Sequence, residues 1–149
     1  MALPQRVDRL VEPPPLDAAP PASVAVAAPV GRQAFQILRA AFVGILLVAG
    51  VDKFFDVLGP WPKYLAPDLS DLLGVTPQSI MRAVGVLEIL TALLVAVRPS
   101  VGGWLVAVWL WTIAANLLIL PGHYDVVLRD LALSLGAIAL ARLASRLER

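Results

Sequence analysis

The chain has 149 residues, 59% of them hydrophobic and 15% charged, with a formal net charge of +1 and no cysteine. Soluble domains average about 45–50% apolar and about 25% charged residues, so this composition is that of a membrane protein. The near-neutral balance excludes a strongly basic nucleic-acid binder, and the missing thiols exclude disulfides, thiol catalysis and Cys-ligated zinc or iron–sulfur centres. The single histidine, His123, cannot by itself build a multi-histidine metal or haem site.

Residues 1–31 include "VEPPPLDAAPPASVAVAAPVG", a Pro/Ala-rich stretch without periodicity. Such a segment buries too little apolar surface to offset its ordering entropy, which predicts a disordered tail. A signal peptide fits poorly: the apolar run Val24–Val30 is short and interrupted by proline, and acids and prolines stand where a basic segment belongs.

Residues 32–143 carry hydrophobic segments over about 33–51, 78–97, 101–120 and 124–143. Each is close to the roughly 20 residues that cross ~30 Å of hydrocarbon. Helix punctuation agrees. Thr76-Pro77 supplies an N-cap and a first-turn proline, while Arg98-Pro99 and Pro121-Gly122 mark helix ends. The expected fold is therefore all-α, a polytopic antiparallel bundle of four transmembrane helices, followed by a basic C-terminal end at 144–149. The connection over 52–76 is the longest, and its Trp61, Tyr64 and short amphipathic turn ending at Gly74 suit an interfacial position. Four spans put both termini on one side, with Arg6, Arg9, Arg32, Arg98, Arg142, Arg146 and Arg149. The other side has Lys53 and Lys63 beside four aspartates, plus Arg82 and Arg129 just inside helix ends, so the positive-inside rule assigns both termini to the cytoplasm.

Charges inside a bilayer are costly and usually face the bundle interior in pairs. Counted from the cytoplasmic helix ends, Arg39 lies ~9 Å deep and Glu88 ~14 Å deep, within reach of one another. Near the other face lie Lys53, Arg82, Asn116, Arg129 and Asp130. Spacings of three and four residues place Arg39, Leu46, Gly50 and Lys53 on one stripe, and Gly85, Glu88 and Ala92 on a second. Trp109, Thr112 and Asn116 form a third, and Asp130, Ser134, Ala137 and Ala141 a fourth. Arg129 and Asp130 are ~100° apart on a helix. Asp130 is assigned inward, to be met by Lys53, Arg82 or Asn116, and Arg129 outward as a snorkelling anchor. The candidate cluster is thus Arg39, Lys53, Glu88, Asn116 and Asp130, with Arg82 and Arg129 secondary. Each has a structural alternative: interfacial anchor for Lys53, Arg82 and Arg129, interhelical glue for Asn116 and Thr112, and a buried structural pair for Glu88. Trp104, Trp109 and Trp111 read as packing or lipid-facing residues, and His123 as solvated.

"LRAAFVGILLVAGVDKF", "GVLEILTALLVAV" and "VVLRDLALSLGAIAL" together resemble the DoxX-like family of four-helix bacterial membrane proteins. The family's early arginine, Gly-x-x-Lys-Phe end of the first helix, Gly-x-x-Glu and basic-Asp pair correspond to Arg39, Gly50–Phe54, Gly85–Glu88 and Arg129-Asp130. The resemblance spans residues 37–143 and implies a multi-pass protein of the bacterial inner membrane. It also implies an accessory subunit of a membrane redox system, linked to a quinone and to redox protein partners, rather than a stand-alone enzyme. Without cysteine, haem-ligating pair or nucleotide motif, the chain holds no conventional electron-transfer cofactor of its own; its cofactor stays unknown, with a quinone as what the resemblance implies. A small proton-coupled carrier and a structural anchor or assembly factor, alone or as a homo-oligomer, stay open beside that reading.

Overall fold

The computed structural model describes residues 22–120 and 122–147, and these are helical apart from their connections. In chain order they form α1 (Ala22–Asp52), a single 3-10 turn (Trp61–Tyr64), α2 (Pro67–Leu73), α3 (Pro77–Val97), α4 (Pro99–Ile119) and α5 (Tyr124–Leu147). Three stretches are long and apolar enough to cross a membrane: Pro29–Asp52, Pro77–Val97 and Pro99–Ile119, with mean hydropathies of 2.1, 2.2 and 1.7. Their outward faces carry Ile37, Val48, Leu90, Leu93, Val101 and Val108 to the surface, as a lipid environment requires.

Local chemistry sets the boundaries. The Thr76 hydroxyl accepts the Ser79 amide at 3.3 Å, and Pro77 follows at the first helical position, where its missing N–H costs nothing. Gly74 closes α2 with φ at 63°, a left-handed conformation natural for glycine. Pro99 starts α4 immediately after Arg98, so α3 and α4 turn back on one another almost without a loop.

The four long helices pack as two clasped pairs, α1 with α3 and α4 with α5, joined by lighter α3–α4 and α1–α5 contacts. Each clasp rests on small residues. A methyl group built on Gly85 would lie 2.6 Å from the Gly50 carbonyl oxygen, and one on Gly103 would lie 2.8 Å from that of Ala137. Backbones approach this closely only where a side chain is missing. The continuous apolar core, including Phe42, Leu46, Val95, Val106, Ala137 and Leu140, occupies the half of the bundle near the termini. A smaller cluster of Ala114, Leu117 and Val127 lies at the opposite end, beneath the long connection.

Four expectations need correction. α1 begins at Ala22, so residues 22–31, expected in the tail, are helical; the remainder of the expected tail lies outside the described residues. Ala22, Ala25, Ala27 and Ala28 are strong helix formers and offset the one hydrogen bond that Pro29 removes. α5 likewise runs on through Arg146 to Leu147, past the expected end at 143. On α4 the inward stripe is Gly103, Val106, Ala107, Ala114 and Leu117, whereas Thr112 is exposed. Its hydroxyl donates to the Val108 carbonyl at 3.0 Å and so needs no interhelical partner.

The last correction concerns the pairing of Arg39 with Glu88. The helices are not flush: Gly50 sits against Gly85, so the first two turns of α3 project beyond the end of α1. Eleven residues back along α1 and eleven onward along α3, the same register sets Arg39 against Ala96, and the Arg39 guanidinium donates to the Ala96 carbonyl. That carbonyl belongs to the last turn of α3, where no backbone N–H awaits it and positive charge is favoured.

Candidate functional site

At the end of α1 the chain turns around a carboxylate. Asp52 is buried and accepts the Val57 amide at 3.1 Å, the Leu58 amide at 3.0 Å and the Trp61 indole N–H at 2.7 Å. Asp56, with φ at 55°, provides the bend that folds the segment back. Trp61 is thereby placed with its ring 3.9 Å from the Lys53 ammonium, a cation–π contact. Lys53 in turn donates to Glu88 Oε2 at 2.6 Å, an ion pair whose side chains are 5% and 6% exposed. Asp52, Trp61, Lys53 and Glu88 therefore form one connected network, of which sequence spacing had proposed only Lys53 and Glu88.

The same connection is fastened to α4. The Asn116 amide donates to the Tyr64 carbonyl at 2.6 Å and accepts the Ala66 amide at 3.1 Å, satisfying a backbone donor and a backbone acceptor with one side chain. Tyr64 stands edge-on to His123, ring centroids 5.4 Å apart, so the connection also touches the α4–α5 turn. The His123 ring, expected to be solvated, is half-buried: its Nδ1 is shielded from solvent and has no hydrogen-bond partner among the described residues.

Beside this connection lies a half-open cavity of about 740 Å³, bordered by α1, α3, α4, α5 and the connection. Its walls are mostly apolar, with Ile45, Leu46, Val84, Leu110 and Leu133 among them, and its polar groups are few. Lys53 and Glu88 stand on one wall, Asn116 and Trp109 on a second, and Arg129 and Asp130 on a third. The Trp109 indole N–H is buried without a partner among the described residues. The indole N–H is turned toward the Glu88 carboxylate without closing a full hydrogen bond, so Lys53 and Trp109 both approach Glu88 in the cavity wall.

Lys53, Glu88, Asn116 and Asp130 are therefore gathered around one space, and Arg129 joins them. Arg39 is at the other end of the bundle, and Arg82 is exposed on α3 outside the cavity wall. Asp130 is buried as expected but meets none of Lys53, Arg82 or Asn116; its ion pair is with the neighbouring Arg129, whose Nε lies 3.7 Å away. The Arg129 side chain itself is 67% exposed. Adjacent helical side chains diverge, but the long arginine stem curls back far enough to bring its Nε near the carboxylate. Ser134 is buried and accepts the Trp111 N–H at 2.9 Å, tying α4 to α5.

The sequence carried one unused hint of the larger network. An aspartate at a helix C-terminus faces the negative end of the helix dipole, so Asp52 had to be compensated by donors from outside the helix.

No known protein family, characterised protein or solved structure matches the chain.

Proposed function

We propose that the chain is a DoxX-like protein of the bacterial inner membrane, with four spans and cytoplasmic termini. In this reading it is an accessory subunit of a membrane redox system, and its cavity receives the carbonyl-bearing headgroup of a lipophilic quinone. The observation that carries the reading is the cavity itself: about 740 Å³, largely apolar, with the Trp109 N–H, the Glu88 carboxylate and the Lys53 ammonium on its walls. Ligand sites of ~300–1,000 Å³ with apolar walls and a few convergent polar groups are the usual form for such molecules. A quinone, when bound, supplies two-electron, two-proton chemistry; the electron-carrying centre belongs to a partner protein. The Lys53–Glu88 pair, with the Trp109 N–H beside it, is the polar group a quinone carbonyl would meet, the apolar walls would hold its ring and tail, and Glu88 and Asp130 are the carboxylates placed to hold protons.

The fourth span is α5. Arg129 and Arg142 lie thirteen residues apart, ~20 Å along a helix, and their long side chains extend that reach toward both interfaces. Between them Leu131–Ala141 contains no charge, and Leu128, Leu131 and Leu135 face outward. Because the chain has no cysteine, single cysteines introduced at Asp71 and Ser145 can be labelled with an impermeant maleimide in intact cells and inverted vesicles. Labelling of the two positions from opposite sides is expected, and labelling from one side refutes four spans.

Purification in mild detergent followed by quinone extraction tests the ligand. Wild-type protein is expected to retain quinone near stoichiometry, with retention falling in Trp109→Phe and Glu88→Gln. Wild-type protein that stays quinone-free after incubation with excess quinone removes the reading. The two carboxylates on one cavity wall system also suit a proton-coupled carrier, and solute uptake by reconstituted vesicles that collapses with Glu88→Gln would establish that alternative.

A further inference from the structure

At the opposite end of the bundle, the first helix presents Arg32, Phe35, Gln36 and Arg39 on one face, at spacings of three, four and seven residues. Together with Val97 and Pro99 of the α3–α4 turn and Leu147 of α5, they line a shallow open cleft of about 290 Å³. Two turns separate the arginines, so polar donors line this cleft from the bundle end to ~10 Å along it. The Ala96 carbonyl engages only part of the Arg39 guanidinium, which has five N–H donors in all. Among the described residues, Arg32 has no hydrogen bond or ion pair and no acidic side chain lines the cleft. Arg98, Arg142 and Arg146 add positive charge at the same end. The described aspartates, by contrast, belong to the other end or to the α5 segment that lines the large cavity.

We propose that this cleft binds the phosphate group of an anionic phospholipid, gripped by Arg32 and Arg39 with Gln36 between them, while the acyl chains lie along the apolar surface of α1. Planar guanidinium groups match phosphate oxygens in pairs, and basic clefts between transmembrane helices at the cytoplasmic face are suited to anionic headgroups. This site is independent of the quinone cavity and shares no residue with it.

The test is native mass spectrometry of the full-length protein released from nanodiscs containing equal amounts of phosphatidylglycerol and phosphatidylcholine. Selective retention of phosphatidylglycerol is expected. Arg32→Gln should lower that retention roughly fivefold, the factor one basic residue contributes near an anionic membrane surface. Arg142→Gln removes a charge at the same end without touching the cleft and should leave retention unchanged. A separate titration with inorganic phosphate distinguishes the source: displacement of the lipid by phosphate upholds a phosphate site and assigns it to a soluble ligand. Equal retention of both lipids, or equal losses in Arg32→Gln and Arg142→Gln, overturns the proposal in favour of diffuse charge attraction.

Discussion

Replacing Lys53 with methionine removes one partner of the buried ion pair while keeping most of the side-chain volume. Glu88, 5% exposed, then faces an apolar cavity with no cation in contact, and the Trp61 ring loses the ammonium above it. Breaking a buried pair from one side costs about 3–5 kcal/mol, because the remaining charge is left uncompensated. The lost cation–π contact adds about 0.5–2 kcal/mol. Removing both charges together, in Lys53→Met with Glu88→Leu, eliminates the desolvated carboxylate as well. That double variant is expected within about 2 kcal/mol of wild type, since apolar replacement of buried pairs is often neutral or stabilising. Reversible unfolding in mixed micelles, followed by tryptophan fluorescence, measures Lys53→Met, Glu88→Leu and the double variant against wild type. The expected coupling energy between the two positions is at least about 3 kcal/mol. Single-variant losses below about 0.5 kcal/mol, or a double variant as unstable as the summed singles, would refute the claim that the pair is desolvated and mutually dependent.

Asp52→Ala takes the acceptor away from two amides and the Trp61 indole, and should cost about 2–3 kcal/mol with increased quencher access to Trp61 fluorescence. Gly85→Ala drives a methyl into the Gly50 carbonyl and should destabilise by about 1–3 kcal/mol. Gly44→Ala, where nothing lies within 4 Å, should instead stabilise by roughly 0.5–1 kcal/mol. Equal effects from the two alanines in unfolding titrations would contradict the proposed close approach. Asn116→Ala releases the connection from α4, and hydrogen exchange at the Ala66 amide should rise about tenfold; unchanged exchange would show that other contacts hold the segment.

Helix identity was legible because it is written locally. Thr76-Pro77, Arg98-Pro99 and the length of each apolar run determine where α3 and α4 begin and end, and these agree with the structure to within a residue or two. The stripes Gly85-Glu88-Ala92 and Asp130-Ser134-Ala137-Ala141 are likewise buried together, because helical periodicity fixes angular position. Partner choice was less legible. Counting depth from helix ends assumes flush ends, and the Gly50–Gly85 contact offsets α1 against α3 by about two turns. The offset exchanges the partner of Glu88 from Arg39 to Lys53. On α4, uniform apolarity left polar residues as the only facial marker, and a threonine satisfied by its own helix is a misleading one. The role of Asp52 depends on a connection folding back over nine residues to Trp61, which no periodic pattern encodes.

The division of the bundle into two clasped pairs has a mechanical consequence. The glycine crossings hold each pair as a stiff lever, while the seam between pairs carries the lighter contacts and widens into the large cavity. Across that seam the connection is hydrogen-bonded to α4 through one amide, Asn116, which grips both Tyr64 and Ala66, while the Tyr64 ring packs on the cluster of Ala114, Leu117 and Val127. A fastening of two hydrogen bonds on one rotatable side chain releases as a unit: one rotamer change frees both backbone groups together.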